Sequence, residues 1–110
     1  MSVIVTLMLT TVPDRDTARA LAAGALDARL AACVSEQASV HSSYHWQGSI
    51  ESGEEIQLLF KTSVARAAEL EQFIQQQHPY ETPEILSWQA TAAASYGQWV
   101  VAETQRPIHV

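Results

Sequence analysis

Eight consecutive residues, His78-Pro79-Tyr80-Glu81-Thr82-Pro83-Glu84-Ile85, gather an imidazole, a phenol and two carboxylates around two prolines. Imidazole nitrogen binds copper, nickel or zinc, and Tyr80, Glu81 and Glu84 supply oxygen donors beside it. The same residues also fit a structural role, with His78 bonding the free carbonyls at a helix end and the prolines shaping the turn that follows. An acid and base pair made of Glu81 and Glu84 requires environments that separate their pKa values. Nothing in the sequence sets the two apart, and no enzyme activity is expected.

Cys33 is a further candidate. It is the single cysteine, so no internal disulfide forms, and a reducing, cytoplasmic setting is expected. Its thiolate suits reduced copper, whereas a neutral thiol packs as a small hydrophobe. His41 and His45 share a strand face but stand roughly 13 Å apart at about 3.3 Å per residue, too far to chelate one ion. Trp46, Trp88 and Trp99, with Tyr44, Tyr80 and Tyr96, read as core or interface anchors. Glu51, Glu54 and Glu55 read as a solvated hairpin tip.

The elements that position these residues follow from periodicity. Val3 to Thr10 is apolar and β-branched, which predicts a strand buried on both faces. Asp14 is a helix N-cap, and Ala18, Leu21, Ala22, Ala25 and Leu26 recur at helical spacing toward Leu30. From Cys33 to Trp46 a period of two predicts a strand with Val34, Ala38, Val40, Tyr44 and Trp46 on one covered face. Gln47-Gly48-Ser49 and Ser52-Gly53-Glu54 carry turn chemistry, after which Ile56, Leu58 and Phe60 continue the alternation to Lys61. Ser63 is expected to cap a helix that runs to Gln77, because the residue before Pro79 is pushed out of helical backbone. Glu84 to Thr91 predicts a fourth strand, Ser95 to Val100 a short helix, and Gln105 to Val110 a loose tail. This is the split βαβ order of a ferredoxin-like α+β domain with an antiparallel sheet.

A chain of 110 residues makes one domain. Its charged fraction of 16% is low beside 47% hydrophobic residues, which predicts apolar surface that meets another subunit. The long hairpin is too apolar to remain an open edge and is expected to pair with another chain. Twelve acidic against six basic residues give a net charge of −6. With no clustered Lys or Arg, nucleic acid is not an expected partner. No segment approaches the roughly 18 apolar residues of a membrane span, and the start lacks the pattern of a secretory leader.

Thr11-Val12-Pro13-Asp14, Leu30-Ala31-Ala32-Cys33, Tyr44-His45-Trp46-Gln47-Gly48-Ser49-Ile50, Glu54-Glu55 with Lys61-Thr62, and the segment from His78 to Ile85 occur in the order and at the intervals of one family. In these motifs the chain resembles CutA, the divalent cation tolerance proteins. The resemblance implies a tight homotrimer similar in outline to the PII signalling proteins, with hairpins paired between subunits and a link to copper and other divalent cations. Of the family's proposed copper ligands it leaves His78, beside which Cys33 stands as a metal candidate on its own thiol chemistry, and Tyr80, Glu81, Glu84, Lys61 and Trp46 are expected around an inter-subunit cleft. In a PII-like regulatory alternative that cleft takes a small metabolite or anion and a partner protein. Two positions where some members carry proposed copper ligands hold Thr10 and Gln77. Ala38-Ser39 stands where Pro-Gly is common, removing the usual cause of a bend.

Overall fold

The β-branched opening of the chain forms β1, Ser2–Val12, which runs two residues past the predicted end at Thr10. In the computed structural model, which describes residues 1–106, it is followed by α1 (Arg15–Asp27), β2 (Cys33–Trp46), β3 (Ser49–Ser63) and a 3₁₀ turn (Val64–Arg66). Then come α2 (Ala67–Gln77), β4 (Ile85–Ala93) and α3 (Ala94–Glu103). The part of the expected tail beyond Arg106 lies outside the described residues. Asp14 caps α1 as predicted, its carboxylate accepting the Thr17 N–H at 2.8 Å. That bond holds the Asp14 carboxyl below the usual carboxylate range. Gly24 weakens helix propensity by about 1 kcal/mol, but a Cβ there would stand 2.8 Å from the Phe73 ring. Close contact between α1 and α2 explains the glycine.

The strands form one sheet in the order β2-β3-β1-β4, with every neighbouring pair antiparallel. Together with the helix order this is the ferredoxin-like α+β plan. Met8 opposite Phe60 and Val12 opposite Ile56 put one sheet face under α1 and α2. There Ala18, Leu21 and Ala25 of α1 and Leu70 and Ile74 of α2 complete the core.

The opposite face differs from the prediction that β1 is buried on both sides. Leu9 pairs with Leu59 and Leu86, and Leu7 with Lys61 and Trp88, so these six residues share the second face. α3 covers only one end of it. Gly97 of α3 lies directly on Val3, with no room for a side chain between them. Leu86 is 55% exposed and Trp88 45%, which leaves an apolar patch on the sheet. No helix among the described residues is long and apolar enough to cross a membrane.

Three local expectations are corrected. The hairpin turns on Gln47-Gly48 alone, both with positive φ as a tight two-residue turn requires. Ser52-Gly53-Glu54 is part of β3, with Gly53 opposite Ser42. Ser63 ends β3 and makes no side-chain capping bond to the turn that follows; its Oγ accepts from Thr104 Oγ1 at 2.9 Å instead.

The third correction concerns β2. Glu36 pairs with Leu58 but Ser39 with Ile56, so β2 advances three residues while β3 advances two. This bulge forms at Ala38-Ser39 without Pro-Gly, and it reverses the facing of everything beyond it. Val34 opposite Phe60 looks into the core, whereas Val40 opposite Glu55 and Tyr44 opposite Glu51 share the other face. The single covered face expected for β2 is therefore two half-faces on opposite sides of the ribbon.

Candidate functional site

His78 is the residue after α2, and it is buried, 8% exposed. Its Nε2–H donates to the Thr11 carbonyl at 2.8 Å, and its Nδ1 accepts the Tyr80 backbone N–H at 3.1 Å. Those two bonds together select the neutral tautomer protonated at Nε2. Neither ring nitrogen therefore offers a free lone pair in this conformation. The carbonyl satisfied by His78 belongs to β1, not to the helix end considered from the sequence. Its ring lies 4.8 Å from that of Tyr80, and the loop is pinned again where Thr10 Oγ1 donates to the Glu84 carbonyl at 2.7 Å.

This pinned loop forms one wall of a cleft of about 850 Å³, and the outer part of the hairpin forms the other. Tyr44, Trp46 and Glu55 line it from the hairpin, and Tyr80, Glu81 and Glu84 from the loop. Tyr80 Oη–H donates to Glu55 Oε2 at 2.9 Å, joining the two walls. Burial first, then the bond to Glu55 and its negative charge, push the Tyr80 phenol up from 10.0 to about 12.

A pH dependence follows. The folded pKa of Tyr80 lies above the unfolded one, so its stabilisation is complete below pH 10.0 and is lost as pH rises through about 12. Urea unfolding of wild type across that window is expected to show a steeper decline in stability than Tyr80→Phe. Equal slopes would show that the phenol and the carboxylate are not coupled.

Trp46, Tyr80, Glu81 and Glu84 are brought together in a cleft within one chain, and two other candidate residues lie elsewhere. The Lys61 ammonium donates to Ser35 Oγ and lies 3.8 Å from Cys33 Sγ, and the pairing of Cys33 with Lys61 puts both on the exposed sheet face. The register explains this: Lys61 faces the same way as Leu59 and Leu7, well along β3 from Glu55. Cys33 is half-buried, and its contact with the Tyr96 hydroxyl, after burial, raises the Tyr96 pKa. His41 pairs with Glu54 at 2.8 Å on the exposed ribbon.

Glu55 is the residue that sequence reasoning misplaced. It is a stem residue of β3 rather than part of a solvated tip. The signal was present in the alternation of Ile56, Leu58 and Phe60, which turns Glu55 away from the core.

A family model described as CutA1 divalent ion tolerance protein matches residues 6–103. The chain belongs to this CutA1 family. The divalent-cation tolerance protein CutA of Yersinia pestis (strain Pestoides F) is 44% identical over 80 residues, which are 73% of this chain and 67% of that protein. The crystal structure of CutA from Xylella fastidiosa has a TM-score of 0.88 at 34% identity, covering 92% of this chain and 98% of that one. For CutA from Synechococcus elongatus the TM-score is 0.87 at 39% identity, with 93% and 91% covered. Within this CutA1 chain, Thr10 is fully buried and its hydroxyl is committed to the Glu84 carbonyl, so it fixes the loop. Among the described residues no group of three His, Cys, Asp or Glu side chains is arranged to hold one metal ion.

Proposed function

We propose that this chain acts in divalent cation tolerance as a cytoplasmic homotrimer, holding copper(II) or a similar ion weakly at the cleft and working through binding rather than catalysis. One observation carries the reading: Glu55, Glu81 and Glu84 line a single cleft that no Lys or Arg lines among the described residues. Copper(II) takes nitrogen and oxygen donors, and His45 lines the same cleft as these carboxylates, with water left to complete the coordination. The names of the relatives support a role with divalent cations. The apolar face around Leu86 and Trp88 and the long outer edge of β2 support assembly. The anion-binding form of the regulatory reading asks for a basic side chain in the cleft, and Lys61 lies on the other part of the sheet.

Calorimetric titration of metal-free protein with copper(II), on a sample whose mass is measured by light scattering, tests this. A trimer mass and loose saturable binding are expected. The Glu81→Gln/Glu84→Gln pair should weaken binding by about fivefold, the effect of losing roughly 1 kcal/mol of attraction. Binding that survives the pair but disappears in Cys33→Ser or His78→Ala would place the ion elsewhere.

A further inference from the structure

The cleft carries negative charge that no Lys or Arg neutralises among the described residues. All six basic side chains are engaged elsewhere. Arg15 and Arg19 pair with Glu36, Arg29 with Glu103, and Arg66 and Arg106 with Glu69, while Lys61 bonds Ser35. Glu55, Glu81 and Glu84 have no ion-pair partner among the described residues, and the one bond Glu55 receives comes from a neutral phenol.

Three aromatic rings share the wall with His45, two prolines and several hydroxyl side chains. Tyr44, Trp46 and Tyr80 line the same space as the carboxylates, and Tyr44 and Trp46 lie on the face of the hairpin that also carries Glu55. The unbroken pairing from Val40 opposite Glu55 to Trp46 opposite Ser49 sets this arrangement, and the bulge in β2 reconciles it with the register at the base of the strand. Aromatic faces attract a cation centred within about 6 Å of the ring, most strongly when water is excluded. The rings add little for a divalent ion, which the carboxylates hold only loosely because no three acidic or imidazole groups among the described residues converge on one point. An organic cation has the opposite needs. Its charge is spread over alkyl groups that rest on the rings, and it requires counter-charge nearby rather than close coordination. A cleft of about 850 Å³ has room for a molecule of metabolite size.

We infer that this cleft binds an organic ammonium ion, its alkylated head resting on Tyr44, Trp46 and Tyr80 and its charge held by Glu55, with Glu81 and Glu84 at the loop side. The inference rests on the cleft being the ligand site of the proposed function, and it names a further ligand class for it. Glu55 is the central counter-charge because Tyr80 holds its carboxylate in place. Glu81 and Glu84 are exposed and act mainly by attraction over distance.

Choline is the probe, and 3,3-dimethylbutan-1-ol is its uncharged isostere of nearly the same shape. Titration of the full chain in metal-free buffer, followed by calorimetry and tryptophan fluorescence, is expected to show saturable choline binding. The isostere should bind at least about tenfold more weakly, because it keeps the shape and loses the charge. Glu55→Gln and Trp46→Ala should each weaken choline by about tenfold while keeping the circular dichroism and mass of wild type. Equal binding of choline and the isostere, or no binding of choline at millimolar concentration, overturns the inference. Copper(II) titrations of the same variants separate the two readings. If copper responds to Glu55→Gln and choline does not bind, the ligand class is wrong and the cleft remains the cation site. If neither ligand responds to Glu55→Gln, the cleft assignment falls as well.

Discussion

Trp88→Glu is expected to convert the proposed three-chain assembly into single chains, lowering the solution mass to about one third as a closed ring of identical subunits comes apart. Trp88 is 45% exposed on the isolated chain, so the new carboxylate meets water there and the fold is retained. Covered by a sister subunit, the same carboxylate would be stripped of water beside Leu7 and Leu86, with Lys61 one strand farther across the face and already bonded to Ser35, at a cost of several kcal/mol. Light scattering at micromolar concentration reads the mass, and far-ultraviolet circular dichroism checks the fold. An unchanged mass would show that the apolar sheet face is not where the copies meet.

His78→Ala should cost about 2–4 kcal/mol of folding stability, since a buried and a part-buried partner each lose a bond worth about 1–3 kcal/mol when left unmade. The partners are the Thr11 carbonyl at the end of β1 and the Tyr80 N–H in the loop. Urea unfolding of the metal-free protein measures the loss, so a ligand role contributes nothing to the result. The loop it anchors carries Tyr80, and the Tyr80 hydroxyl bridge to Glu55 should loosen with it. The Tyr80 phenol is then expected to titrate closer to 10.0 than to about 12, visible in phenolate absorbance. A stability change within about 0.5 kcal/mol, the range of ordinary surface substitutions, would show that His78 is not a structural pin.

Element order, the Asp14 cap and the helix end before Pro79 were legible because each rests on local chemistry. A capping carboxylate, a proline and a helical period act within a few residues of themselves. The position of Ser63 was not legible, because its hydroxyl serves Thr104 of the last helix and takes part in no cap. The cleft was half legible. The loop residues Tyr80, Glu81 and Glu84 announce themselves by type and spacing, but the wall opposite them depends on strand register. The pairing of Val40 with Glu55 sets Tyr44 and Trp46 on the side of Glu55, and alternation read straight through the extra residue at Ala38-Ser39 hides it. Lys61 was misplaced because a motif shows that a residue matters without showing which side of the sheet it faces.

The bulge has a consequence for the arm beyond it. Pairing is fixed at the base by Cys33 opposite Lys61 and at the tip by Trp46 opposite Ser49 across the Gln47-Gly48 turn. Removing one residue between Glu36 and Ser39 would close the bulge and leave both registers intact, so Tyr44 and Trp46 would stay on the side of Glu55. The bulge is thus a joint that takes up one residue of length and frees the register of the tip from that of the base.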